Sequence, residues 1–128
     1  MARVPIPSGS LIEKVSDAAD YADSYAATVP GALFADFRTL ARFAFQRGTL
    51  AGETTEEVMY TGCSPGLVYH VSYLRRNDGG ETKLFVSTAV RYTSRQGRLY
   101  FAVVRPGHRV LTPFMVSVMI RRAGAEAG

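Results

Sequence analysis

The side chains best suited to acid/base chemistry lie in the middle of this chain, on segments that alternate like β-strands. A histidine near tyrosines can act as a general acid or base near neutral pH, because its ordinary pKa lies close to 6.5. A partly exposed histidine without a role is the simpler interpretation. The candidate catalytic residues are His70, Tyr60, Tyr73, Glu57 and Arg91.

Arg91 interrupts a strand face that is otherwise apolar or small. A buried guanidinium needs a partner, so we expect Arg91 to pair with Glu56 or Glu57, with an anionic ligand as the alternative. His108 and Arg109 stand together near the start of the last predicted helix. We expect them to hold that junction by hydrogen bonds, and only secondarily to bind an anion.

Neither metal chemistry nor cysteine chemistry is predicted. Asp17, Asp20 and Asp23 form an acidic group, but carboxylates at the start of an element commonly accept backbone hydrogen bonds. Cys63 and His70 have no oriented third partner that would make them a nucleophile and base. The histidines and the cysteine lack the spacing of a metal site, and we expect no metal and no cofactor.

The chain has 128 residues, 47% of them hydrophobic, which is the size of one domain with its own core. The formal charge of +4 comes from scattered arginines, so nucleic acid is not expected as a partner. No apolar window is long enough for a membrane span, and the N-terminus lacks an apolar signal core. With a single cysteine, these features predict a cytoplasmic protein.

The segment 83–122 is predicted to organise the fold. Residues 83–93 and 98–105 alternate with a period of two, and 94–97 ends in glycine, so the pattern predicts a β-hairpin. Residues 106–122 have helical periodicity and predict a closing helix. Pro113 either kinks this helix or begins it with Thr112 as N-cap.

Three further strands precede the hairpin. We predict strands at about 54–61 and 67–76 and a strand ending at Pro30, after a turn at 16–20. Residues 32–47 have an amphipathic stripe that predicts a short helix. Residues 1–10 are expected to be an extended lead-in and 123–128 a disordered tail. An antiparallel meander needs a covering layer, so the fold class is α+β, with a curved antiparallel sheet gripping a long C-terminal helix.

The segment 87–115 carries a family resemblance. It contains Val90-Arg91-Tyr92, Gly97-Arg98 with Tyr100, and His108-Arg109, and the earlier segments 19–25 and 69–74 are similar to the same family. The chain resembles the bacterial domain of unknown function 2867. That family is similar to the Bet v 1-like superfamily, which includes polyketide cyclases and lipid-transfer domains. The resemblance implies a helix-grip fold with a small-molecule cavity.

A cavity between helix and sheet would bind an apolar molecule. We expect a cofactor-independent cyclisation, dehydration or isomerisation of a polyketide-like intermediate. The alternatives are a non-catalytic carrier of a lipid or hydrophobic metabolite, and a partner subunit that uses its apolar helix as an interface. An exposed sheet edge makes a homodimer plausible. The candidate ligand-binding residues are Phe37, Met59, Tyr69, Tyr100, Phe114, Met115 and Val118.

Overall fold

The computed structural model describes residues 2–29, 48–78 and 80–127. These residues form six strands and two helices. In chain order they are β1 (Ala2–Val4), α1 (Leu11–Ser16), β2 (Tyr21–Val29), β3 (Thr49–Glu53), β4 (Glu57–Ser64), β5 (Leu67–Asp78), β6 (Glu81–Tyr92) and α2 (Arg95–Ala127). The strands make one curved antiparallel sheet in the order β1-β2-β6-β5-β4-β3, and the predicted α+β class is confirmed.

The predicted strand at 98–105 is wrong, because α2 already begins at Arg95. Both edges of β6 are taken, by β2 on one side and β5 on the other, so β6 has no free edge for a hairpin partner. Phe101 is buried, whereas Leu99 and Val103 are exposed. The β-branched and aromatic residues here favour a strand locally, and tertiary structure overrides that preference.

The prediction that the last helix begins at residue 106 or at Pro113 is also wrong, since Pro106 and Pro113 both lie inside α2. Proline has no N–H, so Pro113 leaves the carbonyl of Arg109, four residues earlier, without its helical donor. The Tyr25 hydroxyl donates to that carbonyl at 3.5 Å. Thr112 is a mid-helix residue rather than an N-cap.

The two faces of the sheet are covered by different helices. Val58 and Tyr60 of β4 pack towards α2 in a core that includes Val116, while Met59 between them packs with Ile12 of α1 on the opposite face. A further cluster, formed by Tyr21, Leu67, Val90 and Phe101, packs the first turns of α2 against the sheet.

The predicted strands at 54–61, 67–76 and 83–93 are confirmed as β4, β5 and β6, and β2 ends one residue before Pro30. β1, α1 and β3 were not predicted from the sequence. Ser10 caps α1 by accepting a hydrogen bond from the backbone N–H of Glu13 at 3.2 Å. The backbone of 123–127, expected in a tail, continues α2. The helix predicted at 32–47 lies outside the described residues.

Gly97 is the tightest point between α2 and the sheet. A Cβ at Gly97 would overlap the carbonyl group of Gly66, which sits at the β4–β5 turn with a φ of 85°. The same Gly66 carbonyl accepts the N–H of Thr93 at 2.8 Å. The start of α2 therefore needs glycine on both sides of the contact.

We expect Gly97→Ala to lower the free energy of unfolding by about 1–3 kcal/mol or more, because backbone on both sides must shift. Gly107→Ala is the matched control: its Cβ meets nothing within 4 Å, so this mid-helix change should stabilise the protein by about 0.5–1 kcal/mol. Urea unfolding measures both. Equal stability of Gly97→Ala and the parent protein would contradict this packing.

Candidate active site

Strand alternation divides the five predicted catalytic residues between the two faces of the sheet. Tyr60 and Tyr73 point towards α2, where their rings meet edge-on with centroids 6.4 Å apart. Glu57 and His70 lie on the α1 face, and Arg91 is exposed on that same side. The structure therefore does not assemble these residues into one site.

Glu57 holds the N-terminus of α1. Its side chain is only 2% exposed, and Oε1 accepts the backbone N–H of Leu11 at 2.7 Å. Oε2 accepts the N–H of Ile12 at 3.4 Å and the hydroxyl hydrogen of Ser72. A carboxylate suits this position, because unpaired N–H groups and the helix dipole make a helix start positive.

His70 lies on the α1 side, where its Nδ1 is 2.7 Å from the hydroxyl oxygen of Thr61 on β4. Burial lowers the pKa of His70, and the positive charge of Arg91 lowers it further. Because Arg91 is exposed, it does not need the buried carboxylate partner expected from sequence.

A cavity of about 230 Å³ lies between α2 and the centre of the sheet. Apolar side chains, among them Val71, Val86 and Met115, form much of its wall, and hydroxyl and imidazole groups make the rest of it polar. It is lined by Tyr69, Val71 and Tyr73 of β5, Val86 and Thr88 of β6, and His108, Leu111, Thr112, Met115 and Val116 of α2.

A buried carboxylate and a histidine meet at one side of this cavity. Asp23 is 3% exposed, and its Oδ2 lies 3.1 Å from Nε2 of His108. The Tyr21 hydroxyl also donates to Oδ2, at 2.6 Å. Nδ1 of His108 is 3.3 Å from the Thr112 hydroxyl oxygen. Among the described residues, Oδ1 of Asp23 has no hydrogen-bond partner, which is unusual for a buried oxygen.

Burial and the carboxylate of Asp23 both raise the pKa values of two neighbouring tyrosines. Burial raises the pKa of Tyr21, and the hydrogen bond to Asp23 raises it further. Burial likewise raises the pKa of Tyr25, with a smaller effect from the same carboxylate. Arg109 donates from Nε to the Tyr21 hydroxyl oxygen at 3.3 Å, so the network also reaches an exposed cation.

Local periodicity explains how this pair forms. Tyr21, Asp23 and Tyr25 are spaced two residues apart on β2, so all three project from the same face, towards α2. His108 follows Phe101 by seven residues and precedes Thr112 by four, so helical spacing places these three on the buried face. The sequence favoured structural roles for Asp23 and for His108, with anion binding only as a secondary role of His108. If the helix had been predicted to start at Arg95, the seven-residue spacing of Phe101 and His108 would have placed both side chains on its buried face.

Only some of the predicted ligand-binding residues lie at the cavity. Tyr69 and Met115 line the cavity, and Tyr73, predicted as catalytic, joins them. Met59 is buried on the α1 face. The remaining predicted residues do not line the cavity: Tyr100 and Phe114 are exposed on α2, Val118 is half-buried on α2, and Phe37 lies outside the described residues.

Within the described ranges, no group of three or more His, Cys, Asp or Glu side chains is arranged to hold a metal ion. No helix in this part of the chain combines the length and apolar character needed to cross a membrane. Comparison with protein families, curated proteins and solved structures finds no match to this chain. The interpretation of the site therefore rests on its geometry.

Glu57→Gln is expected to lower the free energy of unfolding by about 1–3 kcal/mol, because the amide has only one oxygen for three donors. Glu56→Gln, at the exposed neighbouring position, should change it by less than about 0.5 kcal/mol. Urea unfolding of both variants measures the difference. Similar stabilities of the two variants would show that Glu57 does not hold α1.

The pKa of His70 should lie below the ordinary value of 6.5, and Arg91→Gln should raise it, while Arg98→Gln on α2 should not. Titration of the imidazole C–H resonances by NMR measures this, with His108→Gln to assign the signals. The lowered pKa means that the unfolded chain binds this proton more readily. The free energy of unfolding should therefore decrease as the pH falls from the ordinary histidine pKa of 6.5 towards the lowered pKa of His70.

Proposed function

We propose that this chain is a small cofactor-independent enzyme that binds an apolar, polyketide-like intermediate between sheet and α2 and promotes its cyclisation, dehydration or isomerisation. The proposal includes kinship with domain of unknown function 2867 and a Bet v 1-like helix-grip fold. The curved antiparallel sheet with a long C-terminal helix supports that kinship. The observation that carries the functional proposal is the Asp23–His108 contact at the cavity.

The contact gives His108 a defined chemical role. When Nε2 donates to Asp23, the lone pair of Nδ1 lies on the side of Thr112. Nδ1 then takes a proton from a bound substrate in place of the Thr112 hydrogen bond, and the buried carboxylate stabilises the imidazolium. Return of that proton to another substrate atom completes an isomerisation. Its return to a hydroxyl leaving group completes a dehydration.

The size of the cavity limits the substrate. A cavity of about 150 Å³ holds one benzene molecule. The 230 Å³ cavity therefore suits one ring or two fused rings, or an aliphatic group of similar volume. A longer intermediate would place only its reacting end near His108, and the rest would extend beyond the enclosed space.

A carrier is the second candidate. The apolar part of the cavity wall, which includes Val71, Val86 and Met115, would hold a hydrophobic metabolite without reacting with it. A carrier does not need a buried carboxylate aligned with a histidine. The Asp23–His108 contact therefore favours the enzyme, because a buried carboxylate held against a histidine at a cavity wall is an arrangement suited to acid/base catalysis.

Native mass spectrometry of the purified protein, beside its denatured spectrum, is expected to show a retained apolar compound. Incubation of that compound with fresh protein, followed by chromatography with mass detection, should show conversion. His108→Gln and Asp23→Asn should slow conversion by about 10²-fold or more while the compound still binds. Val71→Phe should fill the cavity and abolish binding, whereas Leu50→Phe on exposed β3 should not.

Binding of 2-naphthol, a two-ring alcohol, provides a second readout by fluorescence and needs no prior ligand. A protein that retains no compound and binds no 2-naphthol would overturn both the enzyme and the carrier. If both His108→Gln and Asp23→Asn convert the retained compound as fast as the parent protein, the acid/base role of His108 and Asp23 is ruled out. If the parent protein retains a compound but does not convert it, the carrier is the remaining function.

A further inference from the structure

The side of α2 that faces away from the sheet is unusually apolar. Seven large hydrophobic side chains are exposed there, Val103 at 81% and Val110 at 75%. We call this the outward face. It consists of one stripe of Leu99, Val103, Val110 and Phe114 and an adjacent stripe of Tyr100, Val104 and Leu111, at intervals of four and seven residues. A continuous exposed apolar surface of this kind is typical of an interaction site.

Arginines continue both stripes of the outward face. Arg95 precedes Leu99 by four residues, Arg121 follows Phe114 by seven, and Arg122 follows Leu111 by eleven. All three arginines are exposed. The helix contains six arginines in all and one acidic residue, Glu126. The apolar surface therefore ends in positive charge at both ends of the helix.

The outward face and the cavity lie on adjoining sides of α2. A shallow groove runs along Val103, Val104 and Phe114, and it shares His108 and Leu111 with the wall of the cavity. The groove and the cavity therefore adjoin at these two residues.

We propose that the outward face of α2 docks on the surface of an anionic lipid bilayer. Helices with an apolar face and bordering arginines bind in the headgroup region, and basic side chains near an anionic surface strengthen the attraction. A second copy of the chain fits less well, since a symmetric contact between two α2 helices brings arginine towards arginine. The docking goes beyond the chemistry proposed for His108 and does not depend on it.

The test is co-sedimentation of the full chain with vesicles of phosphatidylcholine alone and of equal parts phosphatidylcholine and phosphatidylglycerol. The parent protein should bind the anionic vesicles, and added salt should weaken this binding. The double variant Val110→Ser with Phe114→Ser should bind at least about tenfold more weakly. Arg121→Gln with Arg122→Gln should show a similar loss on anionic vesicles only.

Leu50→Ser is the control, because it removes an exposed hydrophobic side chain from β3 and should leave vesicle binding unchanged. Equal binding to both vesicle types, or binding unaffected by the α2 variants, would overturn the proposal. So would a dimer that the same variants dissociate, or unfolding of the Val110/Phe114 variant, which would mean that the face is covered in the folded protein. Binding of 2-naphthol without vesicles tests the cavity separately.

Discussion

Strand β6 is hydrogen-bonded along both edges, to β2 and to β5, and this pairing constrains where β2, β5 and the chain that follows β6 can lie. Since no edge of β6 is open, the chain after Tyr92 must leave the sheet. It turns at the close contact between Gly66 and Gly97 and returns across the sheet as α2. The same pairing places β2 in the interior of the sheet, where Asp23 faces the helix.

Two buried carboxylates, one on each face of the sheet, show how similar side chains serve different purposes. Glu57 receives three donors, two of them backbone N–H groups at the start of α1, so both of its oxygens are engaged in hydrogen bonds on the α1 face. Asp23 shares one oxygen between Tyr21 and His108, and within the described chain the other oxygen has no partner. Because Asp23 adjoins a histidine on a cavity wall, it is the carboxylate that the proposed mechanism uses to stabilise the imidazolium of His108.

Much of the fold was predictable from the sequence because it depends on local signals. Alternation defined β4, β5 and β6, and glycine-containing turns marked the connections between them. The prediction of a strand at 98–105 was wrong. Val103 and Val104 favour a strand locally, but the pairing of β6 with β2 leaves no place for one. Short elements such as β3 were missed, since five residues with an exposed pattern give little periodic signal.

The candidate site was less predictable than the fold. The sequence by itself determined which acid/base side chains exist, that they lie on alternating strands, and that an apolar helix must cover the sheet. Tyr69, Tyr73 and Met115, which the sequence proposed as site residues, line the cavity. Only the tertiary structure decided that Glu57 and His70 lie on the opposite face from the cavity and that Asp23 meets His108, 85 residues later in the chain. Period-two alternation separates two faces without stating which one a helix will cover, and that choice depends on long-range packing.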